Sequence, residues 1–253
     1  MTIEACAALV ERGDPDRFAA IMAAPPAARA RLWPLYAFNL EVARAPWVTK
    51  EPMIAEMRLQ WWRDVVAEPV ARAHEVAGPL HALIQEAALP LDVLDRLVEA
   101  RRWDIYSDAF EDRAAFDAYL DDTGGGLMWL AARALGAEPQ AEMPARALGW
   151  AAGLANFLRA VPELEARGRL PLVDGRPEAV KALAEDGLRC LVNARAARHA
   201  LGKATPAALA AWQAEALLRQ AAQDPMAVAE GRLGQSEFAR RGRLVWAAIT
   251  GRV

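Results

Sequence analysis

The sequence predicts an all-α protein, a single helical bundle of residues 1–253 around one large apolar interior. Three observations carry this. Ala, Leu, Arg and Glu dominate while β-branched residues are scarce, and the dominant residues are the strong helix formers. Prolines and glycines recur at helix-length intervals. No segment alternates with period two over the length of a strand. No Ser/Gly-rich linker or change of composition divides the chain, and a domain of this size can bury roughly 70–75% of its unfolded surface.

The punctuation gives the elements in order. Asp14-Pro15 reads as an N-cap followed by proline at the first helical position. A second helix follows Pro25-Pro26 and runs towards Arg44, with Pro34 kinking or restarting it and Pro46 ending it. The next spans about 51–66. In it the rows Met53/Met57/Trp61/Val65 and Leu59/Trp62/Val66 form one broad apolar face, read as core, while Glu56, Gln60 and Arg63 form another row. Further helices are expected at about 79–88, 92–106, 112–122, 125–136, 142–161, 177–200, 206–222 and 226–250. In 147–158 only Asn156 interrupts apolar and small residues, which places that helix in the middle of a bundle.

Composition excludes several function classes. Thirty basic residues balance 33 acidic ones for a net charge of −3, and no half is strongly basic, so nucleic acid is not an expected partner. Cys6 and Cys190 make no disulfide framework and suit a reducing compartment. His74, His81 and His199 form no Cys/His group of zinc spacing. The longest uncharged stretch, Ala147 to Leu158, has 12 residues, against about 20 for a membrane span. The first residues show neither a basic n-region nor an apolar h-region. A cytoplasmic protein is expected, at most peripheral on the inner membrane.

Five short motifs then follow in order. Asp16-Arg17-Phe18-Ala19 opens a helix and Leu35-Tyr36-Ala37-Phe38 lies in the next. Glu56-Met57-Arg58-Leu59-Gln60-Trp61-Trp62 comes third. Tyr119 precedes Thr123-Gly124-Gly125-Gly126-Leu127-Met128. Asn156-Phe157-Leu158-Arg159 comes last, with Arg167-Gly168-Arg169-Leu170-Pro171 beyond it. In order and spacing these resemble the squalene/phytoene synthases, head-to-head prenyltransferases of the all-α isoprenoid synthase fold, over about residues 14–171. The resemblance implies that fold, with a central apolar cavity. It also implies two aspartate-rich motifs on facing helices holding Mg²⁺ against a prenyl diphosphate, since the departing charge must be neutralised and Mg²⁺ takes hard oxygen ligands.

The sequence departs from the family where those ligands belong. Positions 43, 44 and 47 are Ala43, Arg44 and Trp47; positions 160 and 164 are Ala160 and Leu164. Of the second motif's carboxylates only Glu163 remains, and Gly153 replaces the usual glutamine. The expectation is a non-catalytic relative with no catalytic residue, no metal and no cofactor, whose cavity is lined by Tyr36, Phe38, Ala43, Arg44, Trp47, Asn156, Arg159, Ala160, Glu163 and Leu164. Arg44, Arg159, Arg167 and Arg169 could form a metal-free anion pocket, since arginine forks suit phosphate. The alternative is that Arg159 and Arg169 pair with Glu163 or Glu165 and brace the helix end.

Asp121-Asp122 read as capping, since adjacent carboxylates on a helix do not face one way. The three glycines after them read as close packing or approach to a ligand. The runs from Ala37 to Ala43 and Met57 to Trp62, and Arg159-Ala160-x-Pro162, resemble a degenerate branch that includes the mitochondrial complex I assembly factor 6. That implies a bacterial relative acting in respiratory complex I assembly, with a complex I subunit or assembly intermediate as partner and an isoprenoid or lipid as possible ligand. The rival readings are an active prenyltransferase using Mg²⁺ and farnesyl or geranylgeranyl diphosphate, and a lipid-binding module.

Overall fold

The computed structural model describes residues 2–68, 70 and 72–251. Among them all regular structure is helical: α1 (Ile3–Gly13), α2 (Pro15–Ala23), α3 (Pro26–Arg44), α4 (Pro52–Ala67), α5 (Ala77–Ala87), α6 (Leu91–Ala100), α7 (Arg113–Leu120), α8 (Gly126–Ala134), α9 (Glu142–Ala166), α10 (Pro177–Ala196), α11 (Ala214–Gln223), α12 (Met226–Ala229) and α13 (Glu237–Thr250). A helix at 3–13, which the punctuation did not announce, starts at Thr2, whose side chain accepts the Ala5 N–H. Asp14 caps α2 as its dipeptide predicts, accepting from the Arg17 N–H at 2.9 Å.

Helix α9 is the axis of the bundle. Residues Pro144 to Val161 supply eleven buried side chains or backbone positions around it, and α8, α10 and α11 pack on it. It continues past the expected stop at 161, through Pro162, to Ala166. Proline removes one N–H, but Leu164 still packs on the core and Arg167 pairs with Glu163 one turn back at 2.5 Å. Pro34 is likewise accommodated, and α3 runs unbroken to Arg44.

Three expectations fail in the C-terminal third, the first being the helix expected at 206–222, which begins only at Ala214. The helix drawn at 177–200 stops at Ala196, and residues 198–211 form 3₁₀ turns broken at Gly202, whose φ of 51° lies in the left-handed region. The helix drawn at 226–250 is two, separated where Gly231 takes φ +67° and the Arg232 N–H turns back to the Ala227 carbonyl.

Helix α4 corrects the apolar stripe read from its sequence. Ala55, Leu59, Trp62, Val65 and Val66 are buried, whereas Met53 and Met57 are exposed. Glu56 belongs to the outer surface, pairing with Arg102 at 3.0 Å and accepting from the Tyr106 hydroxyl at 3.1 Å.

The glycine triplet is a close-packing device. Asp121–Gly125 winds as a π-helical turn against α9. A Cβ on Gly149 would stand 2.3 Å from the Gly124 carbonyl oxygen, and one on Gly124 would stand 2.6 Å from that of Gly149. The two backbones touch, as the packing reading of those glycines requires. Asp121 pairs with Arg146 at 3.0 Å and Asp122 with Arg96 at 3.5 Å.

Candidate functional site

A central cavity opens between α2, α3, α9, the residues at 101–104, the π turn and the 3₁₀ turns at 198–211. Its inner lobe of about 160 Å³ is lined by Tyr119, Thr123, Gly124, Met128, Gly153 and Phe157 among others. Its outer lobe of about 540 Å³ includes Asp14, Asp16, Ala43, Ala155, Arg159 and Gln213. Arg17, Asn39, Arg101, Ala152 and Asn156 line both. Three arginines, Arg17, Arg101 and Arg159, therefore stand on its walls.

Each arginine is engaged by an aspartate. Arg17 pairs with Asp14 at 3.4 Å and lies 4.7 Å from the centre of the Tyr36 ring. Arg159 pairs with Asp16 at 3.0 Å, and Asp16 also accepts from Arg240 of α13. Arg101 pairs with Asp104 at 3.2 Å and donates to the Tyr119 hydroxyl at 2.9 Å, while that hydroxyl donates to Asp104. Burial pushes the Asp104 carboxyl above the usual carboxylate range against the pull of Arg101, and it pushes the Tyr119 hydroxyl well above the usual phenol value. At Asp16 burial acts upwards too, but hydrogen bonds from Gln213 and Arg159 and the charges of Arg159 and Arg240 outweigh it, so the carboxyl titrates low.

Of the residues expected around the cavity, Ala43, Asn156 and Arg159 line it. Tyr36 sits one layer behind, buried under Arg17. Phe38 is fully buried and meets Trp62 edge-on at 5.4 Å, facing α4. Arg44 instead lines an outer pocket of about 300 Å³ with Arg58, Trp61, Trp62 and His74. Trp47 is half-buried beneath Arg167 and Arg169, at 4.6 and 4.8 Å. Ala160 and Leu164 are half-buried, Leu164 against the core, and Glu163 is exposed.

The four arginines proposed as one anion pocket are not gathered. Arg44 turns to its own pocket, Arg159 to Asp16, and Arg167 to Glu163. Arg169 is buried, and its guanidinium donates to the carbonyls of Trp103, Asp104 and Tyr106. The alternative reading of Arg159 and Arg169 as partners of Glu163 or Glu165 is replaced as well, since it is Arg167 that holds Glu163. Sequence reasoning missed Arg101 and Asp104. They lie at the end of a charged helix, where nothing in their spacing announces that Tyr119 will cover them. Asp16, Arg17 and Tyr119 were legible only as motif members.

The metal question turns on the donors. The positions 43, 44, 47, 160 and 164 offer no oxygen ligand, and Asp14 and Asp16 are already neutralised by arginine. Among the described residues no three His, Cys, Asp or Glu side chains form a group that could hold a metal ion. No helix of the described residues is long and apolar enough to cross a membrane.

Comparison with known proteins places the chain by sequence and by fold. The sequence model of the squalene/phytoene synthase family matches residues 10–174. Among curated relatives, the Drosophila melanogaster NADH dehydrogenase (ubiquinone) complex I, assembly factor 6 homolog is 31% identical over 178 residues, 66% of this chain and 53% of that protein. The Homo sapiens assembly factor 6 is 26% identical over 161 residues, 62% of this chain and 48% of that protein. The chain thus spans about half the length of the curated relatives it matches. Among solved structures, squalene synthase HpnC from Alicyclobacillus acidocaldarius superposes with a TM-score of 0.74 at 16% identity, covering 87% of this chain and 93% of that one. A dehydrosqualene synthase solved with ligand gives 0.72 at 14% identity, covering 98% and 95%. At these identities the structural likeness establishes the fold.

Proposed function

The chain belongs to the squalene/phytoene synthase family, and on that footing we propose that it is a non-catalytic member acting in the assembly of respiratory complex I, with its cavity serving to bind a lipid or a segment of a partner. The carrying observation is the conversion of the cavity's charges. Where family chemistry needs free carboxylates to gather Mg²⁺ around a diphosphate, this cavity has Arg17–Asp14, Arg159–Asp16 and Arg101–Asp104 pairs. These donors do not fit a magnesium cluster. A carboxylate spent on a guanidinium has little charge left for a cation. The similarity to assembly factor 6 supports the choice of role.

Incubation of the purified protein with farnesyl or geranylgeranyl diphosphate and Mg²⁺ is expected to release no diphosphate and form no head-to-head product. Deletion of its gene is expected to lower assembled complex I on native gels, and re-expression to restore it. Turnover in the first assay would replace the proposal with an active prenyltransferase. Normal complex I after deletion would remove the assembly role. Native mass spectrometry of the purified protein then reads which lipid, if any, the cavity retains.

A further inference from the structure

Helix α13 has two apolar faces, and the fold uses only one. Its inner face packs on the body. Ala247 is buried in a small cluster with Ala20, Ala24, Ala28, Leu209 and Trp212, Leu244 packs against the same cluster, and Arg240 reaches Asp16 and lies 5.8 Å from the Trp212 ring centre. On the other side Phe238 is 89%, Ile249 78%, Trp246 60% and Val245 57% exposed. At 3.6 residues per turn these four and Gly242 fall within an arc of about 100° opposite Ala247. That is as wide as the stripe with which an ordinary surface helix meets its core, here turned to solvent.

The flanks say what covers it. The helix carries Arg240, Arg241 and Arg243 against one acid, Glu237, and the Arg241 and Arg243 side chains border the apolar arc. Arg241 reaches back to Glu237 at 2.8 Å and Arg243 to Gln235 at 3.2 Å. The arc is open at its middle, where a Cβ on Gly242 would meet nothing within 4 Å. A tryptophan and a phenylalanine sit on the apolar side, where an amphipathic ring finds both tail and headgroup.

We infer that the outward face of α13 docks the protein onto a membrane surface bearing anionic lipid headgroups. The helix lies in the interface plane, with Phe238, Val245, Trp246 and Ile249 entering the acyl boundary and Arg241 and Arg243 meeting the phosphates. The inference goes beyond the assembly role and stands whether or not that role holds.

Sedimentation of the full chain with vesicles tests it. The protein is expected to pellet with vesicles of phosphatidylcholine mixed with phosphatidylglycerol and to bind phosphatidylcholine alone more weakly. Phe238→Ser, Trp246→Ser and Ile249→Ser are each expected to weaken partitioning by about tenfold or more. Trp246→Phe is expected to retain it. Arg241→Gln with Arg243→Gln is expected to lower it severalfold on anionic vesicles only, with loss of part of its salt dependence. All these positions are exposed, so circular dichroism and melting temperature are expected to stay at the wild-type values, which separates lost docking from lost folding. Wild-type protein remaining in the supernatant with anionic vesicles overturns the inference, and so do serine variants that pellet like wild type. Light scattering that shows a wild-type dimer dissociated by Trp246→Ser also overturns it, by making this face a contact between two copies of the chain.

Discussion

Two aspartates beside the cavity meet arginines in opposite ways. Asp104 lies within the closed wall, behind Arg101 and Tyr119, which are its partners, and is 3% exposed. Asp16 stands on the open rim, shared by Arg159 and Arg240. On the closed wall desolvation prevails and the carboxyl is harder to ionise; on the rim the hydrogen bonds and positive charges prevail and it ionises more easily. The same side-chain type is thus a costly insertion in one place and a mild brace in the other, and burial is what separates them.

The largest expected effect is on the closed wall. Asp104→Ala leaves Arg101 charged and largely buried without its carboxylate, and is expected to cost about 3–5 kcal/mol in chemical denaturation. A loss under about 1 kcal/mol would mean that water reaches the wall. Second is Gly149→Ala, on the wall of the inner lobe. Its Cβ meets a backbone carbonyl rather than a side chain that could swing away, so about 1–3 kcal/mol is expected. An unchanged melting temperature would show that α9 can move off the π turn.

On the rim the effects are smaller. Asp16→Asn is expected to cost only about 0.5–1 kcal/mol at neutral pH, because Arg159 and Arg240 are both partly open to solvent. Its sign with pH is fixed by the lowered folded pKa. The contribution is present above the unfolded carboxylate value of about 4 and fades as pH falls through the lower folded value. The gap between wild type and Asp16→Asn is therefore expected to be widest near neutrality and to close on acidification. Asp104 runs the other way: with its folded pKa raised, protonation stabilises the folded state relative to the unfolded one as pH falls towards the ordinary value. A wild-type–Asp16→Asn gap that widened in acid would undo the comparison.

Helices whose ends carry Pro, Asp-Pro or Gly were legible in the sequence to within a few residues, because capping is local chemistry. The family motifs and their missing aspartates were legible too. Which apolar stripe goes inside was not. Met53 and Met57 on α4 and Phe238, Trp246 and Ile249 on α13 satisfy helical periodicity as well as the buried rows do. Periodicity marks a face; it does not name the neighbour that will cover it. Spacing sets Arg17 three residues from Asp14 and Arg101 three from Asp104, but it could not find the Arg159–Asp16 pair. Local rules favoured Glu163 as the partner of Arg159 or Arg169, only a few residues away, and the fold gave it to Arg167.

The sequence by itself determined that this chain is helical, where most of its helices turn, and that five positions suited to magnesium ligands hold none. Tertiary structure alone decided what the cavity became. Arg159 meets an aspartate 143 residues away, and Arg240 meets the same aspartate across 224. Ionisation, burial and pairing at such a site depend on groups brought together from remote parts of the chain, and no local pattern encodes how deeply packing will remove them from water.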